Sequence, residues 1–130
     1  MAGLITLDAS VLIAYFDRAD PHHQSAITII NDHADEALCI SALTQAEVLV
    51  RPAEVNREDE MLGAMRAIGI TAVDLSADDV APLARLRAST RMKMPDACVL
   101  LTAQITDSAL ATFDAALADR ARELGVVVVD

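Results

Sequence analysis

The stretch Leu4-Ile5-Thr6-Leu7-Asp8-Ala9-Ser10-Val11-Leu12-Ile13-Ala14-Tyr15-Phe16 decides the fold class of this chain. Its first four residues form a short apolar run that is typical of a buried strand, and an aspartate ends the run. Residues 10–16 are then typical of a helix. A strand that passes directly into a helix predicts a parallel sheet covered by helices.

The same alternation of strands and helices continues to the end of the chain. The apolar runs predict strands at residues 4–7, 37–40, 70–73, 108–112 and 126–129. Helices are predicted at residues 10–16, 22–33, 41–51, 54–68, 76–89, 95–105 and 114–124. Pro52 and Gly69 are expected to end the third and fourth helices, and Ser76 with Asp79 resembles a capping box.

Together these elements predict an α/β fold of three layers, with helices on both faces of a mainly parallel sheet. The chain has 130 residues, a common size for one domain, and we find no repeat, linker or low-complexity segment. We therefore expect residues 1–130 to form a single domain.

The composition narrows the class of protein. Hydrophobic residues make up 54% of the chain, but only three residues are aromatic, which disfavours a protein that binds single-stranded nucleic acid by base stacking. Cys39 and Cys98 lie inside apolar stretches and are predicted to be buried thiols. Because no apolar run could span a bilayer and the N-terminus lacks a signal-peptide pattern, we expect a cytoplasmic protein without a membrane segment.

Two aspartates follow predicted strands. Asp8 comes after residues 4–7, and Asp114 comes after the strand predicted at 108–112. Ligands of open parallel sheets gather at the carboxyl ends of the strands, so both are candidate site residues. Each aspartate also suits a helix N-cap, and the sequence leaves both interpretations open.

Two further acids lie in apolar helices. Glu47 shares a predicted helix face with Leu43, Ala46 and Val50, which we expect to be largely buried. A buried carboxylate needs either an arginine or a metal ion as its partner. Asp96 begins an apolar helix, although the helix dipole favours an aspartate there in any protein.

The four acids have a common setting beside the predicted sheet. Carboxylates that converge without cationic partners raise one another's pKa values. A divalent cation relieves that repulsion, and ligation by oxygen alone suits Mg²⁺ or Mn²⁺.

The pattern of these motifs resembles the PIN-domain ribonucleases, and among them the VapC toxins of bacterial toxin–antitoxin pairs. It consists of Leu7-Asp8-Ala9-Ser10-Val11-Leu12, Ser41-Ala42-Leu43-Thr44-Gln45-Ala46-Glu47, Pro95-Asp96-Ala97 and Leu110-Ala111-Thr112-Phe113-Asp114. The resemblance implies that Asp8, Glu47, Asp96 and Asp114 hold Mg²⁺ or Mn²⁺ directly or through water. Ser10 and Thr112 would support the site, with local capping as the alternative role.

The resemblance also implies an activity and partners. The activity is that of an endoribonuclease in which metal-activated water hydrolyses an RNA phosphodiester, leaving a 5′-phosphate and a 3′-hydroxyl. No catalytic histidine is needed, and His22, His23 and His33 are interpreted as surface residues away from the motifs. A VapB-like antitoxin would neutralise the toxin, and a homodimer is expected.

The charge of the chain stands against an RNA substrate. The formal net charge is -10, whereas surfaces that bind phosphates are basic. Arg85, Arg87, Arg91 and Lys93 precede Asp96 and form a candidate RNA-binding patch. An ordinary solvated helix face is the alternative interpretation of these four residues.

Other functions fit less well. A response-regulator domain needs paired acids after its first strand and a lysine near its end, but Asp8 stands alone and Lys93 is the only lysine. A dehalogenase-type phosphatase needs Asp-x-Asp, which Asp8-Ala9-Ser10 does not supply. A catalytically inactive PIN-like scaffold that binds a protein partner remains open.

Overall fold

The computed structural model describes residues 3–129. Its strands are β1 (Leu4–Leu7), β2 (Ala37–Ser41), β3 (Ile70–Val73), β4 (Ala109–Ala111) and β5 (Val128–Val129). They form one sheet in the order β3-β2-β1-β4-β5, and every neighbouring pair is parallel. The prediction of a parallel sheet is therefore confirmed.

Helices connect the strands. They are α1 (Ala9–Phe16), α2 (His23–Asp32), α3 (Ala42–Glu54), α4 (Glu58–Ala67), α5 (Val80–Thr90), α6 (Met94–Ile105) and α7 (Ala115–Glu123). A short 3-10 turn at Ala77–Asp79 precedes α5. Within residues 3–129, no helix is both long enough and apolar enough to cross a membrane.

The sheet forms the middle layer, and a hydrophobic cluster packs between each of its faces and the helices that cover it. Ile5 and Leu7 of β1 belong to the first cluster, together with buried residues of α1 to α4. Leu110 of β4 belongs to the second cluster, with buried residues of α5, α6 and α7. Since successive residues of a strand point to opposite faces of the sheet, each face has its own core. Cys39 and Cys98 are buried free thiols, as predicted.

The predicted end of the third helix is wrong. We expected Pro52 to stop the helix at Arg51, but α3 continues to Glu54 with the proline in its last turn. A proline removes one backbone donor and crowds the turn before it, so it is least disruptive where few residues follow. The carbonyl of Pro52 still accepts hydrogen bonds from the N–H groups of Val55 (3.1 Å) and Arg57 (2.8 Å).

The next helix, α4, begins later than predicted. Asn56 has a positive φ of 59°, which separates α3 from α4, and α4 therefore starts at Glu58 rather than at residue 54. The predicted capping box is present, because the N–H of Ser76 donates to the carboxylate of Asp79 at 2.8 Å. It opens the 3-10 turn, and α5 begins only at Val80.

The order of the strands positions the candidate site. From the central strand β1 the chain moves outward through β2 to β3, and it then returns to place β4 on the other side of β1. The carboxyl ends of β1 and β4 thus flank the point at which the direction of winding reverses, where ligands of open α/β sheets bind. Asp8 and Asp114 lie in the connections that follow these two strands.

Candidate active site

Asp8 is held rigidly at the end of β1. Its side chain is only 6% exposed, and it caps the N-terminus of α1. One carboxylate oxygen, Oδ1, accepts hydrogen bonds from the Ser10 hydroxyl (2.6 Å) and the Val11 N–H (3.2 Å). The other oxygen accepts from the hydroxyl of Thr112. Burial raises the pKa of Asp8, and these hydrogen bonds oppose the rise.

Ser10 and Thr112 join the two connections that meet at Asp8. Besides donating to Asp8, the Ser10 hydroxyl accepts from the Phe113 N–H at 3.0 Å. The Thr112 hydroxyl likewise accepts from the Asp114 N–H at 3.0 Å. Each hydroxyl therefore uses both its donor and its acceptor capacity.

Asp114 caps the helix that follows β4. Its Oδ1 accepts from the N–H groups of Ala116 (2.9 Å) and Leu117 (3.1 Å), and the residue is exposed. The capping interpretation from the sequence is thus confirmed for both Asp8 and Asp114. Capping does not prevent either aspartate from binding a ligand, because a carboxylate has more acceptor positions than one helix cap uses.

The negative charges of Asp8 and Asp114 act on Asp96. It lies half-buried in the first turn of α6. Burial raises its pKa, the negative charges of Asp114 and Asp8 raise it further, and Lys93 weakly opposes these effects. The carboxylates of Asp8 and Asp114 therefore lie close enough to Asp96 to disfavour its ionised form.

Glu47 is more exposed than the sequence led us to expect. We predicted a buried helix face containing Leu43, Ala46, Glu47 and Val50, but Glu47 is exposed and so are its three apolar neighbours. The reason is that Thr44 and Val48 make the buried contacts of α3, which leaves a second apolar face outward. Partial desolvation, followed by the charge of Asp96, nevertheless raises the pKa of Glu47.

The four predicted acids surround one cleft of about 200 Å³. Its lining residues are Asp8, Ala9, Ser10, Thr44, Glu47, Pro95, Asp96, Val99 and Asp114. Liquid water occupies about 30 Å³ per molecule, so the cleft has the size of a small hydrated ion. The carboxylates come from the β1–α1 connection, α3, α6 and the β4–α7 connection, which are far apart in sequence.

The lining suits a hard divalent cation. Its polar side chains present only oxygen atoms, the donor type that Mg²⁺ and Mn²⁺ prefer. Among residues 3–129, no group of three or more His, Cys, Asp or Glu side chains is placed so that together they could hold a metal ion. Mg²⁺ does not require such a group, since it keeps several waters and typically uses one or two carboxylates. A buried hydroxyl in the lining, Thr44 Oγ1, also has no hydrogen-bond partner in the described part of the chain.

The candidate RNA-binding residues divide into two sets. Arg85, Arg87, Arg91 and Lys93 are all exposed, and no salt bridge forms to any of them within the described residues. Arg87 and Arg91 are four residues apart at the end of α5, close in sequence to Lys93 and Asp96. Arg85 lies two residues from Arg87, and residues at that spacing do not share a helix face.

The sequence missed two residues near the cleft. His22 was interpreted as lying away from the motifs, but its ring stacks on Phe113 with a centroid distance of 4.6 Å, and Phe113 stands between Thr112 and Asp114. The histidine is exposed, as predicted. Thr44 was not selected at all, although its position three residues before Glu47 places both on one side of a helix.

The fold and the cleft define an α/β/α domain with an acidic site at the carboxyl ends of its central strands. A model of the PIN domain family matches residues 5–123, and the chain belongs to this family. No curated protein sequence matches the chain significantly.

Solved structures with the same fold include toxins of toxin–antitoxin pairs. A toxin–antitoxin complex from Klebsiella pneumoniae is 25% identical with a TM-score of 0.71, and the match covers 85% of this chain and 86% of that one. VapC20 from Mycobacterium tuberculosis, a toxin that cleaves the sarcin–ricin loop, is 14% identical with a TM-score of 0.74, covering 96% and 98%. VapBC2 from Rickettsia felis, bound to a DNA fragment from its promoter, is 13% identical with a TM-score of 0.74, covering 97% of each chain.

Proposed function

We propose that this chain is the toxin of a toxin–antitoxin pair and acts as an endoribonuclease that depends on Mg²⁺ or Mn²⁺. The observation that carries the proposal is the cleft in which Asp8, Glu47, Asp96 and Asp114 meet. The pKa values of Asp8, Glu47 and Asp96 are all raised, and Lys93 is the one basic residue that opposes any of these rises. Such a concentration of negative charge destabilises the fold unless a cation offsets it.

Each acid has a distinct place in the proposed metal site. A divalent cation held there would lower the pKa of a coordinated water and would stabilise charge on phosphate oxygens. Asp8 is the most rigid of the four, since three groups donate to its carboxylate. Asp114 is fixed by its N-cap, Asp96 contributes from the first turn of α6, and Glu47 closes the site from α3.

The proposed reaction hydrolyses an RNA phosphodiester. The oxygen of water forms a bond to phosphorus, and the bond between phosphorus and the 3′ oxygen breaks. The water loses one proton and the 3′ oxygen gains one, which leaves a 5′-phosphate and a 3′-hydroxyl. The nucleophile is water rather than the 2′-hydroxyl, and acidic side chains rather than histidine line the cleft.

The surface charges support two kinds of partner. Arg87, Arg91 and Lys93 are the residues that we propose contact RNA phosphates next to the cleft. The net charge of -10 favours a basic segment in the cognate VapB-like antitoxin, which would compete with the metal for the acids. We place the activity in the cytoplasm, since buried free Cys39 and Cys98 suit a reducing compartment.

We further propose a homodimer. Leu43 and Val50 on α3 are 42% and 56% exposed, and Met94 at the start of α6 is 42% exposed. Leu43 and Met94 adjoin the cleft residues Thr44 and Pro95 in sequence, and α3 packs against α6. An apolar surface of this kind is typical of an interface between protein chains.

The decisive experiment measures RNA cleavage. The purified protein, freed of any antitoxin, is incubated with total cellular RNA in Mg²⁺, Mn²⁺ or EDTA, and the new ends are sequenced. We expect discrete cuts with 5′-phosphates that require metal. The cuts should disappear in Asp96→Asn and persist in Asp78→Asn, a matched change at an exposed acid far from the cleft in sequence.

The negative result is equally informative. If no RNA is cut and neither metal raises the unfolding temperature, the nuclease proposal is wrong. The chain would then act as a PIN-like scaffold that binds a protein partner without catalysis.

A further inference from the structure

A buried hydroxyl in the wall of the cleft has no partner in the described part of the chain. Thr44 is 0% exposed, and its Oγ1 makes no hydrogen bond. The residue lines the cleft together with Glu47, which lies three positions further along α3. A buried hydroxyl without a partner is destabilising, so its presence here calls for an explanation.

Other threonines in the helices, the exposed Thr28 and the buried Thr90 and Thr102, all find a hydrogen-bond partner in the same way. Thr28 donates to the carbonyl of Gln24 at 3.0 Å, and Thr90 donates to that of Leu86 at 2.7 Å. Thr102 donates to the carbonyl of Cys98, also at 2.7 Å. In every case the acceptor is the carbonyl four residues earlier, which is the usual internal partner of a helical threonine.

Thr44 differs because it lies in the first turn of α3. The residue four positions earlier is Ile40, which belongs to strand β2 rather than to the helix. Valine would fill almost the same volume without an unpaired polar atom. Ser41 Oγ is also buried without a partner at the start of α3, but Ser41 does not line the cleft.

We propose that the Thr44 hydroxyl is a positioning group that hydrogen-bonds to hydration water of the divalent cation in this cleft. The inference rests on the proposed function, since it requires that a cation bind there. Mg²⁺ and Mn²⁺ need such partners because they keep part of their hydration shell when protein carboxylates bind them. Asp8, Glu47, Asp96 and Asp114 supply the negative charge, and Thr44 orients a neutral ligand between α3 and the strand ends.

The test measures metal binding without RNA. Mn²⁺ affinity is determined by calorimetric titration for the unmodified protein, Thr44→Val, Thr44→Ser and Thr102→Val. Loss of an outer-shell partner typically weakens metal binding by about 10-fold or more, and we expect that loss in Thr44→Val. Thr44→Ser keeps the hydroxyl and should bind Mn²⁺ within about 3-fold of the unmodified protein, well short of the loss expected for an outer-shell partner.

Thermal unfolding in EDTA provides a second readout. Thr44→Val should unfold at a higher temperature than the unmodified protein, because it removes an unpaired buried hydroxyl. Thr102→Val is the matched control, since the same substitution breaks a 2.7 Å hydrogen bond. It should therefore unfold at a lower temperature and bind Mn²⁺ normally.

The outcomes separate the two proposals. If the unmodified protein binds Mn²⁺ and Thr44→Val binds it equally well, the inference about Thr44 is wrong and the proposed function stands. If the unmodified protein binds no Mn²⁺, both are wrong. Should Thr44→Val fail to fold, Thr44→Ala removes the same hydroxyl without branching at Cβ, and the same loss of affinity is expected.

Discussion

Thr112→Val tests how much the hydrogen bonds of the candidate site contribute to the free energy of unfolding. Valine has nearly the shape of threonine, so the substitution removes the hydroxyl with little change in packing. That hydroxyl donates to the carboxylate of Asp8 and accepts from the Asp114 N–H. Thr112 is only 8% exposed, so water cannot readily replace the missing group.

The expected loss of stability follows from the two hydrogen bonds of the Thr112 hydroxyl. A hydrogen bond to a charged group contributes about 1.5–3 kcal/mol, and leaving a buried donor unpaired costs about 1–3 kcal/mol. The Asp114 N–H is only partly buried, so its share lies near the lower limit. We expect Thr112→Val to lower the free energy of unfolding by roughly 2.5–4 kcal/mol.

The assay is urea unfolding in EDTA, with Thr112→Ser as the control. Serine keeps the hydroxyl and loses one methyl group, which is worth about 1 kcal/mol. The hydrogen bond from Thr112 lowers the pKa of Asp8, so the deficit of Thr112→Val should grow as pH rises through the pKa of Asp8 in the folded protein. A loss for Thr112→Val no larger than that for Thr112→Ser would refute the reasoning.

Three further predictions concern charge and association. In EDTA at neutral pH, Asp96→Asn should unfold a few degrees above the unmodified protein, because burial and the charges of Asp114 and Asp8 raise the Asp96 pKa. The metal-free unmodified protein should lose stability as pH rises through that raised pKa, whereas the variant should lose less; equal pH profiles in thermal unfolding would exclude this. Arg87→Gln should weaken RNA binding and lower the slope of log affinity against log salt concentration by about 1, whereas Arg85→Gln should leave that slope unchanged. If a filter-binding titration gives the same slope for Arg87→Gln and the unmodified protein, Arg87 does not contact RNA phosphates. Val50→Glu should convert a dimer into a monomer by light scattering while preserving the far-UV spectrum, and an unchanged mass would place the interface elsewhere.

Much of the fold could be predicted because local sequence and global topology agree. Short apolar runs predicted the positions of the strands. Asp8, directly after β1, and Ser41, the last residue of β2, marked where the next helix starts. The end of α3 could not be predicted, because its last turn tolerates Pro52 and the turn that follows depends on the left-handed backbone of Asn56.

The sequence identified the four acids that line the cleft but not the lining residue Thr44, and it did not predict the contacts between the site residues. The spacing of Asp8 and Asp114 after strands indicated that they meet at one sheet edge. The spacing could not show that the Thr112 hydroxyl bridges Asp8 and Asp114. Thr112 and Asp8 are 104 positions apart, and only the folded chain brings them into contact. Periodicity on α3 also offered two apolar faces, and only tertiary packing selects the one with Thr44 and Val48. That choice leaves Glu47 at the mouth of the cleft.

The central claim is that these four acids form a site for a divalent cation. Its most direct test is anomalous diffraction from crystals of the unmodified protein soaked in Mn²⁺. We predict a peak in the cleft, within coordination distance of Asp8 and at least one of Asp96 and Asp114. A saturating soak that gives no peak there, or a peak only at exposed acids such as Asp59 and Glu60, would contradict the claim.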